Sequence, residues 1–335
     1  MINRDNLKTK NLIIFLLNLG LTENDIDNLI DKVPKFFDYS IENIKEKIEN
    51  FKLSGYSNRD IVNIIRVCPI IFTHSIHNIN TKILDMTKLG YTYGDIIKMT
   101  KRSPVIFSHS IENIKQKIKD MIELGYSYAD VIKMSKNTPS IFSCDIKTIK
   151  SKLDTLMSIG FSKEDTIKIT TSSPSLFSYN LQNIDNKINA LMELGFTRSE
   201  VLSMIKIIPA LITYDINYIR QKIDLLQTLG YSHNDVLNMI KNMPSILSFN
   251  VDTLTDKINF YKSIKLESIF INQPKNLIQG IELSYARYKF YESIGIEINQ
   301  DFYNILFMNQ KQFEDKYKLS NEEIIKSFGG NKKTQ

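Results

Sequence analysis

The 335-residue sequence predicts an all-α fold: a helical-repeat solenoid of 35-residue units, each two helices plus a short proline-started turn. Three observations carry this. Glycines fall at Gly20, Gly55, Gly90, Gly125, Gly160, Gly195 and Gly230, always 35 apart. Prolines fall at Pro34, Pro69, Pro104, Pro139, Pro174, Pro209 and Pro244, with the same step. A hydroxyl follows each glycine by two residues and an acid follows that hydroxyl by three, from Thr22 and Asp25 to Ser232 and Asp235. That last pattern resembles a capping box, which opens a helix; its strict form, with Glu, occurs only at Glu200. An aspartate is shorter and is expected to reach back less well, yet it still suits the first turn of a helix dipole.

The elements follow in chain order. Residues 1–19 hold an N-terminal capping helix, begun by Asn6. Seven repeats span 20–264. Within each, a first helix of about ten residues stops before the proline, because the residue preceding proline is pushed out of the α region. A short apolar turn comes next, such as Ile141-Phe142, read as a 3₁₀ segment that plugs the core. A second cap then stands at Ser40, Ser75, Ser110, Asp145, Asn180, Asp215 or Asn250. The second helix carries one apolar stripe, for example Ile146, Ile149, Leu153 and Leu156. The glycine ends it in a left-handed cap, and the next residue, such as Tyr126 or Phe161, packs back over it. An eighth repeat, 265–295, is five residues short, since Pro274 follows Pro244 by only 30. Residues 296–335 supply C-terminal capping helices, the last opened by Ser320 and Glu323, and a frayed tail over 329–335.

Composition narrows the function classes. The formal charge of +6 permits a polyanionic partner. Lysines number 36 against 7 arginines, alongside abundant Asn and Ile, so genome bias explains part of the excess and position must carry the argument. Cys68 and Cys144 form no CxxC, so neither a disulfide framework nor a zinc site is expected, and a reducing intracellular location fits. The apolar run Leu12–Leu17 is too short to span a bilayer. Near the N-terminus, Arg4, Lys8 and Lys10 stand with Asp5 and no cleavage-site pattern, so no targeting segment is read there. No nucleophile motif, phosphate-cradling loop or carboxylate pair appears; neither an enzyme nor a cofactor is expected.

One cation recurs 13 residues after each proline: Lys47, Lys82, Lys117, Lys152, Lys187, Lys222 and Lys257, with Arg287 in the shortened repeat. The residue before it varies freely, so codon bias is a poor explanation. In a solenoid, one position per repeat becomes a line, and a line of cations can track phosphates. With about six to eight engaged, log K would fall against log salt with a slope of roughly −5 to −7. The structural alternative is that each lysine stem packs beside the core while its charge meets a capping acid such as Asp130 or Asp165. A second set stands just before the proline: Arg66, Lys101, Arg102, Lys136, Lys206 and Lys241. The helix dipole alone favours cations there. Arg220, on the second helix, is a further candidate contact. His74 and His109 share a repeat position but find no ligand set, so no metal is expected. Tyr93, Tyr128 and Tyr179 are candidates for stacking on bases, with packing as the commoner role.

The repeat text Leu-Gly-Tyr-Ser-x-x-Asp-Val/Ile, Pro-x-Ile-Phe-Ser, Ile-x-x-Lys-Ile-x-x-Leu resembles the mitochondrial transcription termination factor (mTERF) repeat. PKNLIQGIELSYARYKFYESIGI (274–296) is similar to that family's closing repeat, and MNQKQFEDKYKLS (308–320) to its tail; the likeness covers roughly residues 6–320. It implies a nucleic-acid-binding superhelix with a basic concave groove, double-stranded DNA favoured over RNA, a role in transcription termination or regulation, and a monomer. It also implies an organelle matrix, although repeats that begin near residue 6 leave no room for a long transit peptide and fit a bacterial or symbiont cytoplasm. Pentatricopeptide repeats share the 35-residue length but lack the mid-repeat proline. Transcription-activator-like effector repeats share the Gly-Phe/Tyr-Ser opening but carry a Gly-Gly loop where this chain has proline. A protein-binding scaffold is the alternative from another class, since solenoids also hold peptides.

Overall fold

The structure, a computed structural model, describes residues 6–181 and 184–329. These residues form α-helices and short 3₁₀ turns, with no strand among them. Two compact lobes divide the chain after Leu181, and each is a stack of helical repeats.

The repeat opened by Ser127 illustrates the local physics. Its hydroxyl accepts from the Asp130 N–H at 3.1 Å, and the Asp130 carboxylate accepts from the Ser127 N–H at 3.2 Å. The helix Tyr128–Asn137 therefore begins with its first-turn N–H groups satisfied. Thr138, held before Pro139, leaves the helical region (φ −136°, ψ 76°). The 3₁₀ turn Pro139–Ser143 then drives Ile141 and Phe142 into the core. Asp145 accepts from the Lys147 N–H and opens Ile146–Ile159. Gly160 ends that helix at φ 120°, where a side chain would be strained. The Phe161 N–H reaches back to the Leu156 carbonyl at 3.3 Å, and the Phe161 ring is buried.

The aspartate caps reach fully, contrary to the expectation from their length. Asp25, Asp60, Asp95, Asp130 and Asp235 each accept from the N–H of their cap residue at 2.7–3.2 Å, as Glu200 does at 2.9 Å. The extended backbone of the cap residue turns its N–H toward the third helical residue, so one fewer methylene suffices. At Ser162 the bond to the Asp165 N–H is also made, at 3.0 Å. The second caps act at Ser40, Ser75, Ser110, Asp145, Asp215 and Asn250. The helix after Asn180 is described only from Ile184, because residues 182–183 lie outside the described residues.

In the first lobe the leading helices of successive repeats adjoin, as do their trailing helices and their 3₁₀ turns. A continuous apolar core runs from Leu12 to Phe177 between these rows. Each fully buried Leu or Ile in it contributes about 1.5–3 kcal/mol relative to exposure. In the second lobe the leading helix of the shortened repeat is cut to one turn, Ile269–Asn272. Lys265 stands in the glycine column there and adopts φ 58° itself. The closing helix Asn321–Phe328 packs on Ile281–Ser293, opened by a capping box at Ser320. The predicted frayed tail lies outside the described residues from residue 330 on, as do residues 1–5.

Candidate nucleic-acid interface

A 3₁₀ turn followed by a capped helix leaves carbonyls at their junction without backbone donors. The recurring cation fills that need. Lys47 Nζ donates to the Phe72 carbonyl at 2.5 Å, and Lys82 to the Phe107 carbonyl at 2.6 Å and to that of His109. Lys117 donates to Cys144 at 2.5 Å, and Lys152 to Leu176 at 3.4 Å and to Tyr179. In the second lobe Lys187 reaches Tyr214, Lys222 reaches Phe249, and Lys257 reaches Leu277 at 2.5 Å. Arg287 donates to Leu306 at 3.0 Å, to Met308 at 2.5 Å and to Asn321 Oδ1 at 2.9 Å. Each cation thus clamps its repeat to the next turn of its own lobe.

Burial divides this column. Lys47, Lys222, Lys257 and Arg287 are 1–6 % exposed, whereas Lys82, Lys117, Lys152 and Lys187 are half-buried. Desolvation pulls the ammonium groups of Lys47, Lys152, Lys187 and Lys222 below the usual lysine range, and Lys82 falls to about 8. Rings partly replace the lost water: Lys47 Nζ lies 4.4 Å from the Tyr39 centroid, and the Arg287 guanidinium 4.4 Å from that of Phe313.

The structural alternative expected these lysines to meet capping acids. The acids instead pair with the other cation set. Arg66 binds Asp25 at 2.8 Å, Lys101 binds Asp60 at 3.0 Å, Lys136 binds Asp95 at 2.8 Å, and Lys241 binds Glu200 at 3.1 Å. The step is 41 residues each time, so the end of one leading helix meets the start of the leading helix before it. The hydrogen bond from Lys136, with the Thr92 N–H, lowers the Asp95 carboxyl to about 2. Arg102 donates to the Asn137 carbonyl at 3.0 Å.

Arg220 is exposed, 11 residues after Pro209. Lys45, Lys115 and Lys150 occupy the same position in the first lobe and are exposed too. Sequence reading passed over these three, although the 35-residue step that exposed the other column would have found them. Positions 10 and 14 after the proline are core, as Ile114 and Ile118 are. At 100° per residue, positions 11 and 13 fall on opposite flanks of that stripe. One flank turns into the neighbouring repeat and the other faces solvent.

Of the tyrosines, Tyr128 is exposed and donates to the Leu89 carbonyl at 2.9 Å, while Tyr93 and Tyr179 are 46 % and 37 % exposed. His109 Nε2 lies 3.0 Å from Ser143 Oγ. Cys68 and Cys144 are free thiols. No cluster of three or more metal-ligating side chains occurs among the described residues, and none of their helices is long and apolar enough to cross a membrane.

No curated protein matches the chain. A family model described as mTERF matches it three times, over residues 2–122, 112–228 and 217–314. With nearly every repeat inside those segments, the chain belongs to the mTERF family.

Proposed function

We propose that this chain binds nucleic acid, with duplex DNA as its main ligand, and acts in transcription termination or regulation within an organelle or another intracellular compartment. Membership in the mTERF family is the observation that carries this reading. The charge pattern supports it. Exposed cations recur at one repeat position, Lys45, Lys115 and Lys150 in the first lobe and Arg220 in the second. Among the clamp cations, half-buried Lys82, Lys117, Lys152 and Lys187 keep a solvent side that a phosphate can approach. Lys47, Lys222, Lys257 and Arg287 serve the ligand by holding the repeats in register. Arg66 and Lys136 carry charge already matched by Asp25 and Asp95, and Arg102 adds an exposed guanidinium. Contacts of this kind read backbone charge, and any sequence preference would come from other groups or from DNA shape.

The test is a salt titration of binding to duplex DNA, single-stranded DNA and RNA. It compares the wild type with a Lys45→Ala, Lys115→Ala, Lys150→Ala variant. The variant should bind duplex more weakly and lower the magnitude of the salt slope by about 0.9 for each phosphate contact removed. Equal affinity and slope for the two proteins would remove the exposed column from the interface. Absence of binding to all three ligands at low salt would reject the function itself.

A further inference from the structure

The shortened repeat breaks the pattern at one place. Its leading helix is a single turn, Ile269–Asn272, where the other repeats have ten residues. Two residues after the proline every other repeat holds an apolar plug, such as Phe36, Ile141 or Ile246; here stands Asn276. The missing turns leave an open cleft of about 490 Å³ around Pro274. Asn242, Asn272, Gln273, Lys275 and Asn276 line it with the proline. None of these is a carboxylate, so the cleft is neutral to cationic.

Its polar groups are unspent. Asn276 Nδ2 makes a weak contact with Gln273 Oε1 at 3.3 Å. The side chains of Asn242, Asn272 and Lys275 are exposed and make no hydrogen bond or ion pair within the protein. At the same edge of the third repeat, Lys101 is committed to Asp60 and Arg102 to the Asn137 carbonyl. A carboxamide presents a donor and an acceptor side by side. That pair matches the N6 donor and N7 acceptor that adenine shows in the major groove, and an ammonium beside it suits a phosphate.

We infer that the cleft around Pro274 is a base-reading site: Asn242 and Asn272 hydrogen-bond the major-groove edge of an adenine while Lys275 holds a neighbouring phosphate. This inference rests on the nucleic-acid reading above and adds the sequence preference that backbone contacts lack.

The experiment uses the full chain and two duplexes identical except that one carries 7-deazaadenine, which lacks the N7 acceptor but keeps the charge. The wild type should bind the adenine duplex about tenfold more tightly, within what one amide–adenine pair discriminates. The Asn242→Ala, Asn272→Ala double variant should bind both alike, with an unchanged salt slope and an unchanged far-UV spectrum. Lys275→Ala should weaken both duplexes equally and keep the preference. Equal binding of the two duplexes by the wild type overturns the base-reading site and leaves the function standing. A preference that survives in the double variant also overturns it. Failure of the wild type to bind either duplex at low salt rejects the nucleic-acid reading and this inference together.

Discussion

Tyr126 and Thr170 lie 44 residues apart and share a 2.6 Å hydrogen bond between buried hydroxyls. The bond joins one repeat to the next and recurs at Tyr91 and Ser135, also at 2.6 Å, and at Tyr56 and Thr100. Where the aromatic position lacks a hydroxyl, so does its partner: Leu21 is matched by Ile65, and Phe196 by Ile240. A buried hydroxyl without a partner is costly, so the two positions change together.

Tyr126→Phe should lower stability by about 1 kcal/mol, and Thr170→Val by about 1–2 kcal/mol because it strands the Tyr126 hydroxyl. The double variant should cost clearly less than the sum. Urea denaturation of all four proteins gives the coupling; strict additivity would mean that the bond contributes nothing of its own.

Lys222 is 1 % exposed and reaches the Phe249 carbonyl from the preceding repeat. Lys222→Ala should cost about 2–4 kcal/mol, combining a lost charged hydrogen bond with lost stem packing. Lys115→Ala, on the exposed flank, should stay within about 0.5 kcal/mol of the wild type. Thermal or urea melts of the two variants check this, and equal effects would contradict the assignment of the two flanks.

Acid should weaken the ladder between leading helices. Asp95 titrates at about 2 in the folded chain and at 3.8 in the unfolded one. Its contribution is therefore fully present above about pH 5 and disappears as pH falls through 2. Asp95→Asn should cost on the order of 0.5–1 kcal/mol at pH 7, as a half-buried surface pair and half of a capping box do. The gap to wild type should narrow as pH falls below about 4 and close only below about pH 2, measured by urea midpoints. A gap that does not change with pH would show that charge is not what Asp95 supplies.

Lys82 gives the opposite slope. Its folded value of about 8 lies below the unfolded 10.5, so the unfolded chain holds the proton longer. Stability should then rise between about pH 8 and 10.5 relative to a Lys82→Met variant. The neutral amine keeps two N–H groups for its two carbonyl acceptors, Phe107 and His109, so deprotonation does not break the clamp. A wild type that loses stability over that range relative to the variant would reverse this sign.

Much of the fold was legible because its signals are local. Ser127 and Asp130 satisfy N–H groups within one turn of themselves, Pro139 constrains the residue before it, and Gly160 adopts a backbone angle on its own. The site was legible only in part. The lysine column was visible as a period, but its direction was not, since a cation 13 residues after a proline can face solvent or a carbonyl. Partners 25 to 27 residues away, such as Phe72 and Cys144, become neighbours only when repeats stack. The same holds for Arg66 and Asp25, 41 residues apart. The covariation of Tyr126 with Thr170 was present in the sequence, at a spacing that has no meaning before the stacking is known.

By itself, then, the sequence determined the period, the type and ends of each helix, and the apolar face each helix must bury, because all of these depend on groups within a few residues of one another. Tertiary structure alone decided which charges are clamps and which are free. That choice depends on the carbonyls left over at each 3₁₀ turn and on which flank of the trailing helix meets them. Lys117 turns inward to the Cys144 carbonyl while Lys115, two residues earlier, stays in water.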